Sequence, residues 1–327
     1  ELVRAGLAPL TRDQLLAEVV TASLEQAGDD AATDLRIASW LLDAGLPIDP
    51  DLALRAAQIA QRVLDGDSAV RLSAAALAEG PNFDRLFAHG MALSLVGQVD
   101  EADSNLARAE KLTTDQATLG TTTVMRALNL MHRAGETEQA VGLLRERSLE
   151  LSDPSARANI ESMIMQGEGL QGDFSRALEL GPELAAAARN GDIAELRVLV
   201  SLTVARMVTG QLENAGQELE RGLIVARALS DQHPVEADQI LLNQLLYEMA
   251  RPDLRTAIQS ILERLESQSG AGEGPWFYLA GWALSATGDL TRAQQAARAG
   301  LERLAEVDPI GLRILALGVN AMVLAQS

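Results

Sequence analysis

The fold of this chain is decided by a six-residue segment, Gly288-Asp289-Leu290-Thr291-Arg292-Ala293, whose first and last residues recur at the same separation elsewhere. A glycine followed five residues later by an alanine also stands at Gly97/Ala102, Gly135/Ala140, Gly172/Ala177 and Gly210/Ala215, and one gap is filled by Pro252/Ala257. Successive alanines from Ala102 lie 38, 37, 38, 42 and 36 residues apart, which is the length of a two-helix unit. The sequence therefore predicts an array of helical hairpins.

Both residues of the recurring pair have a mechanical explanation. The glycine is expected to end the first helix of a hairpin, because the residue after a helix C-terminus commonly has a positive φ. The alanine is expected inside the second helix, where close packing of the two helices leaves no room for a larger side chain. Each unit then buries its apolar faces only against its neighbours, as in a solenoid. Such a fold presents an extended surface for binding.

The last unit, from Gly274 to Pro309, resembles a tetratricopeptide repeat. The aromatic, small and large positions of its first helix and the two small positions of its second are occupied, in order, by Phe277, Gly281, Leu284, Ala293 and Gly300. The resemblance implies an all-α fold, a right-handed α-solenoid of tetratricopeptide-like helical hairpins. It also implies that the first helix of each hairpin lines a concave groove.

Two N-terminal segments resemble a second family. The run Glu1-Leu2-Val3-Arg4-Ala5-Gly6-Leu7-Ala8-Pro9-Leu10 is similar to the end of a winged-helix domain in large bacterial regulators of the LuxR type, and the run from Asp34 to Gly45 resembles the first repeat helices of actinobacterial members. The resemblance implies N-terminal helices over 1–45, comprising the tail of a preceding winged-helix domain and a connector. It also implies a repeat array over 46–327 that is truncated in its last repeat. In that family a signal-transduction ATPase precedes the repeats, and a DNA-binding helix-turn-helix follows them.

Neither of those flanking activities is expected within this chain. The only lysine, Lys111, stands between Glu110 and Leu112 and cannot belong to a phosphate-binding loop. The 27 basic and 46 acidic side chains give a net charge of −19, which repels phosphate backbones, so we expect no direct nucleic-acid contact. Apolar stretches are shorter than the roughly 20 residues that span a bilayer. We expect a cytoplasmic segment without membrane contact.

Catalytic and metal-binding patterns are missing from the sequence. There is no cysteine, and the three histidines, His89, His132 and His233, belong to no hydrolase or metalloprotease motif. His89 is interpreted as a packing residue of its hairpin. Arg206 falls on a packing position between helices, so it is expected to form an ion pair. The chain is therefore predicted not to be an enzyme and to hold no metal or cofactor.

Candidate ligand-binding residues follow from the tetratricopeptide register, which directs two positions of each first helix into the groove. In the last unit these positions hold Tyr278 and Trp282, one helical turn apart, within a cluster that carries four of the nine aromatic residues of the chain. Such a cluster suits stacking on a sugar ring, a planar effector or a peptide side chain; alternatively, Phe277 belongs to the core and the other rings brace the next unit. The same register predicts further groove residues in two other units: Met125, Asn129, His132, Arg197, Val200, Val204 and Met207.

Three functional classes are compatible with these features. The first, which the resemblance favours, is the sensor segment of a transcription regulator that binds a small-molecule effector or a partner in its groove. The second is a stand-alone scaffold that binds a peptide of another protein. An enzyme with a carboxylate pair in the groove is the third and lacks a positioned acid and base. Self-association is also expected, because the end at Ser327 leaves a row of apolar residues without a covering helix: Ile314, Leu317, Ala321 and Leu324.

Overall fold

In the computed structural model of the protein, the residues described are 31–188, 191–230, 233–250, 258–259, 261–263, 274–306 and 312–326. Regular secondary structure within these ranges is entirely helical. Internal contacts divide the chain into two compact units, which comprise residues 1–112 and 113–327. In both units consecutive helices pack as hairpins, and hairpins stack on their neighbours. The all-α solenoid predicted from the sequence is thus confirmed.

The first unit contains five described helices, α1 (Ala31–Asp43), α2 (Pro50–Arg62), α3 (Gly66–Ala78), α4 (Phe83–Leu95) and α5 (Val99–Glu110). The second begins with α6 (Gln116–Asn129), which continues as a π-helical turn over Leu130–Ala134. It goes on with α7 (Thr137–Glu150), α8 (Pro154–Leu170), α9 (Ser175–Ala187), α10 (Ile193–Val208), α11 (Leu212–Leu229) and α12 (Pro234–Met249). Its last described helices are α13 (Gly274–Ala286), α14 (Leu290–Glu306) and α15 (Arg313–Gln326).

The repeated glycines and alanines take the roles that the sequence predicts. The five glycines all have left-handed backbone angles, with φ of 77° at Gly97, 74° at Gly135, 86° at Gly172, 79° at Gly210 and 83° at Gly288. The paired alanines are at most 2% exposed, so they lie in the hairpin interiors. Pro252 and Ala257 lie outside the described residues. The spacing of the glycine and alanine pairs in the sequence therefore corresponds to one turn per helical hairpin.

A second periodic signal marks the beginning of the first helix of several hairpins. Asp115, Asp153 and Asp192 are the N-cap residues of α6, α8 and α10, and each side chain accepts a hydrogen bond from a backbone N–H in the first turn. An aspartate at this position satisfies an N–H that has no partner within the helix and interacts favourably with the helix dipole. Turn glycine and capping aspartate together fix where helices end and begin.

Small residues bring the helices of the last hairpin close together. A Cβ atom at Gly281 would lie 3.0 Å from the backbone nitrogen of Ala297, and one at Gly300 would lie 3.0 Å from that of Tyr278. Both approaches are tighter than ordinary van der Waals contact, so α13 and α14 pack almost backbone to backbone here. The small positions assigned to Gly281 and Gly300 from the tetratricopeptide resemblance are confirmed as close-packing positions.

Ion pairs connect the helices of the second unit. Glu168 on α8 accepts hydrogen bonds from Arg145 on α7 at 2.7 Å and from Arg176 on α9 at 3.0 Å. The pair predicted for Arg206 is present, with its guanidinium 3.4 Å from the carboxylate of Glu218 on α11. In the first unit, the hydroxyl of Ser73 lies 3.0 Å from Nδ1 of His89, which is held between helices as interpreted from the sequence.

The two ends of the chain bear on the predicted boundaries differently. Residues 1–30 lie outside the described part, and α1 packs against α2 and α3 within the first unit. The proposed division at residue 45 stays a prediction.

On α15 the side chains of Leu317 and Leu324 are 52% and 59% exposed, and Ala321 is also exposed, whereas the side chain of Ile314 is not described. Self-association through this face stays a prediction that sedimentation at several concentrations would check.

Candidate ligand-binding groove

The first helices of successive hairpins in the second unit surround a cavity of about 490 Å³. This volume lies within the range of about 300–1,000 Å³ that is typical of small-molecule sites. The wall includes residues of the π-helical turn and of α8, α10, α12 and α13. Its apolar members are Met131, Met165, Leu170, Phe174, Val200, Val204, Leu242, Leu246, Leu279 and Leu312. The remainder are His132, Gly135, Thr137, Gln166, Gly169, Ser201, Gln239, Asn243 and Tyr278.

Two glycines of α8 make room for side chains of this wall. A Cβ at Gly167 would lie 3.0 Å from the sulfur of Met131, and one at Gly169 would lie 3.1 Å from the ring of Phe174. Because both distances are shorter than ordinary contact, any larger residue would displace these side chains. The glycines therefore help to set the shape of the cavity at the end near the π-helical turn.

Some polar side chains of the wall already form hydrogen bonds within the protein. The amide of Asn243 donates to the carbonyl oxygen of Val200 at 2.9 Å, and the hydroxyl of Ser201 donates to that of Ser162 at 3.3 Å. Gln166 and His132 face each other with their side-chain nitrogens 3.4 Å apart. These contacts join neighbouring first helices along the cavity, so the wall is partly pre-organised.

Two further polar groups face the cavity and have no hydrogen-bond partner among the described residues. The side chains of Gln239 on α12 and Tyr278 on α13 line the wall, are partly buried, and make no hydrogen bond within the described part of the chain. Burial raises the pKa of the Tyr278 phenol, which keeps the hydroxyl protonated and available as a donor. Half-buried groups of this kind are free to bond to a molecule in the cavity.

Beside the cavity, a buried ion pair connects three first helices. The guanidinium of Arg197 on α10 donates to Asn159 on α8 at 2.6 Å and to Glu236 on α12 at 2.5 Å. The side chains of Arg197 and Glu236 are only 7% and 15% exposed. Burial by itself would raise the pKa of Glu236, but the charge and hydrogen bonds of Arg197, a backbone hydrogen bond and the charge of His233 together lower it. Arg197 thus holds the spacing of α8, α10 and α12.

The π-helical turn changes the register that the sequence predicts for α6. Met125, Asn129 and His132 share one face only in an uninterrupted α-helix, in which they are four and three residues apart. Here the N–H of Gly135 bonds to the carbonyl of Leu130, five residues earlier, and the wider turn rotates the residues that follow Asn129. Beyond that point His132 and Met131 both line the cavity, whereas Asn129, which precedes the turn, is 1% exposed and packs among the helices.

The structure brings together two of the seven predicted site residues. His132 and Tyr278 both line the cavity, as do Val200 and Val204 from the same register. The other five do not contribute to its wall: Met125, Asn129, Arg197, Met207 and Trp282. Met125 and Trp282 pack against the apolar clusters of their own hairpins, and Arg197 forms the ion pair described above. Ligand contact by these five stays a prediction.

Sequence reasoning missed the carboxamides of the wall, Gln166, Gln239 and Asn243. The helical spacing of Gln239 and Asn243, four residues apart, places both on one face of α12. Asn243 and Val200, which its side chain contacts, are 43 residues apart. Extending the repeat register to the helix that begins at Pro234 would have identified this face, since Val200 and Val204 show the same spacing one unit earlier.

In the described ranges, no group of three or more histidine, aspartate or glutamate residues is placed to hold a metal ion. None of the helices described is both long and apolar enough to cross a bilayer.

The stacked hairpins and the groove lined by their first helices give the chain a tetratricopeptide-like helical-repeat fold. No family model matches the sequence, and no curated protein matches it. The fold is similar to the apo form of the quorum sensor NprR from B. thuringiensis, with a TM-score of 0.59 at 9% identity, covering 90% of this chain and 87% of that one. It is also similar to the apo form of RapI, with a TM-score of 0.56 at 14% identity, covering 79% and 98%. A Rap protein complexed with competence and sporulation factor gives a TM-score of 0.51 at 13% identity, covering 98% and 99%.

Proposed function

We propose that the second unit is a sensor segment that binds an effector in the cavity between its first helices. The observation that carries the proposal is a cavity of ligand size whose wall combines apolar side chains with two polar groups, Gln239 and Tyr278, that have no hydrogen-bond partner among the described residues. No nucleophile, base and orienting group stand together in the described wall, which favours binding over catalysis. The likeness of the fold to that of the quorum sensor NprR supports a sensing role.

We further propose that this sensor belongs to a bacterial transcription regulator of the LuxR type and acts in the cytoplasm. The sequence resemblance of residues 1–10 and 34–45 supports this assignment. An effector regulates such a protein only if it binds one conformational state more tightly than the other. The test is the genomic reading frame: an upstream phosphate-binding loop and a downstream helix-turn-helix support the regulator. Stop codons directly on both sides would instead favour a stand-alone peptide-binding scaffold.

Binding in the cavity is tested with an uncharged fluorescent dye, Nile red. We expect saturable binding with one dye per chain, because the wall is mostly apolar and carries no charged residue among those described. Val204→Phe extends a ring into the cavity from α10 and should weaken binding at least ten-fold. Val208→Phe is the matched control, since Val208 is one helical turn further on the same helix and 63% exposed.

The outcomes of this experiment are distinct. Weaker binding by Val204→Phe together with unchanged binding by Val208→Phe supports the cavity as the site. Failure of the wild-type chain to bind the dye saturably, or equal loss in both variants, would refute it. Circular dichroism spectra of the two variants establish that both keep the helical content of the wild type.

A further inference from the structure

We infer that the cavity selects an uncharged amphiphile with a carboxamide group, and that it rejects carboxylate and ammonium analogues of the same molecule. This inference rests on the proposed function, because it specifies the chemistry of the molecule that the same cavity binds. Three features of the wall support it: the absence of Asp, Glu, Lys and Arg from the described lining, the pair of polar groups without a partner among the described residues, and the mixture of carboxamides with apolar side chains.

The first feature disfavours ionic ligands. Among the nineteen residues that form the described wall there is no aspartate, glutamate, lysine or arginine. The nearby charges of Arg197 and Glu236 neutralise each other in their own ion pair, so they offer no counter-charge. An ionised group that enters such a wall loses its hydration without gaining a partner of opposite charge. The net charge of −19 on the whole chain adds a further disadvantage for anions.

The second feature identifies the polar group that the wall can hold. Gln239 offers both an N–H donor and a carbonyl acceptor, and neither is engaged within the described residues. A primary carboxamide presents the same two functions, so the two amides can exchange a pair of hydrogen bonds. The hydroxyl of Tyr278, a phenol that is protonated at neutral pH, supplies one more donor for the carbonyl of the ligand.

The third feature indicates what the remainder of the molecule is. Val200, Val204, Leu242 and Leu246 stand one helical turn apart on α10 and α12 and form an apolar surface next to Gln239. Met131 and Met165 add flexible thioether side chains that adapt to irregular shapes. An alkyl or similar apolar chain suits these residues, and its burial supplies affinity without directional contacts.

The test compares three molecules that share an eight-carbon chain: octanamide, octanoate and octylamine. Each is titrated against the complex of the full chain with Nile red at pH 7.5 and 0.15 M salt, where long-range electrostatic attraction is largely screened. We expect octanamide to displace the dye at a concentration at least ten-fold lower than either ionic analogue. Displacement by octanoate or octylamine at an equal or lower concentration would overturn the inference.

An isosteric variant locates the selectivity. Gln239→Glu introduces a negative charge with almost no change in shape, and it should weaken octanamide at least five-fold while strengthening octylamine. The matched control is Gln217→Glu, because Gln217 is exposed on α11 and lies outside the cavity wall. If Gln239→Glu binds octanamide and octylamine as the wild type does, the role assigned to Gln239 is wrong. Loss of dye binding by the wild-type chain would count against the proposed function, whereas dye binding without headgroup preference would refute only this inference.

Discussion

The ion pair between Arg197 and Glu236 offers the sharpest test of how the first helices are held together. Arg197→Met removes the guanidinium and leaves the Glu236 carboxylate, which is 15% exposed, without its counter-charge. Breaking a buried pair in this way typically costs about 3–5 kcal/mol. The stranded carboxylate can instead take up a proton, which at pH 7 costs about 3.7 kcal/mol for a group with an ordinary pKa near 4.3. We therefore expect the free energy of unfolding to fall by about 3–4 kcal/mol.

The assay is urea unfolding at pH 7 followed by tryptophan fluorescence. A Trp40→Phe background removes the signal of the first unit and leaves Trp276 and Trp282, both in the second. The matched control is Arg298→Met, which breaks a pair with Glu302 whose side chains are 82% and 66% exposed. Exposed pairs one helical turn apart contribute about 0.3–0.5 kcal/mol, so the control should lose no more than that.

A double variant separates the ion pair from simple loss of packing. In Arg197→Met/Glu236→Leu no buried charge is left unpaired, and replacement of both partners by apolar residues is often close to neutral. The double variant should therefore recover at least about 2 kcal/mol relative to Arg197→Met. A loss below 1 kcal/mol in the single variant, or no recovery in the double variant, would refute the assigned role of the pair.

Three further predictions concern the turns, the tight hairpin and pH. Gly172→Ala should lower the free energy of unfolding by about 1–2 kcal/mol, because φ is positive there while the space around the Cβ is open. Gly142→Ala, in equally open space but inside α7, should raise it by about 0.5–1 kcal/mol; both are measured by urea unfolding. Gly281→Ala should cost about 1–3 kcal/mol and lower Tm in a calorimetric scan, since the new Cβ would press on the backbone of Ala297. The pKa of Glu236 is lower in the folded than in the unfolded protein. The ionised Glu236 carboxylate therefore stabilises the fold fully above the pKa of an unfolded glutamate, and this stabilisation is lost as pH falls through the pKa of the folded state. Glu236→Gln should consequently flatten the decline in the free energy of unfolding below about pH 5.

The local features of the fold were predictable because they depend on short stretches of sequence. Positive φ at Gly135 and Gly288 and burial of Ala140 and Ala293 follow from a hairpin turn and the two helices that it joins. The same glycine and alanine positions recur in successive hairpins, so the register inferred for one hairpin can be checked against its neighbours. The ion pair of Arg206 was predictable for a similar reason, since a guanidinium between packed helices needs a partner.

The candidate site was predictable only in part. His132, Val204 and Tyr278 follow from the repeat register, whereas Asn129 is 1% exposed and does not line the cavity. The π-helical turn over Leu130–Ala134 could not be predicted from the sequence either. A π-helical hydrogen bond departs only slightly from the α-helical pattern, so it leaves no distinct sequence signal. The involvement of Arg197 in a three-helix contact depends on partners 38 and 39 residues away, which the register alone does not identify.

The sequence by itself determined that the chain forms helical hairpins, where each hairpin turns, and which small residues its helices pack through. These properties are settled by backbone geometry and by contacts between adjacent helices. Only the tertiary structure decided which side chains meet in the cavity, for example Gln239 with Tyr278 and His132, because this depends on the relative rotation of several stacked helices. The small rotation from each hairpin to the next accumulates along a stack of repeats, and no single segment of sequence encodes the sum.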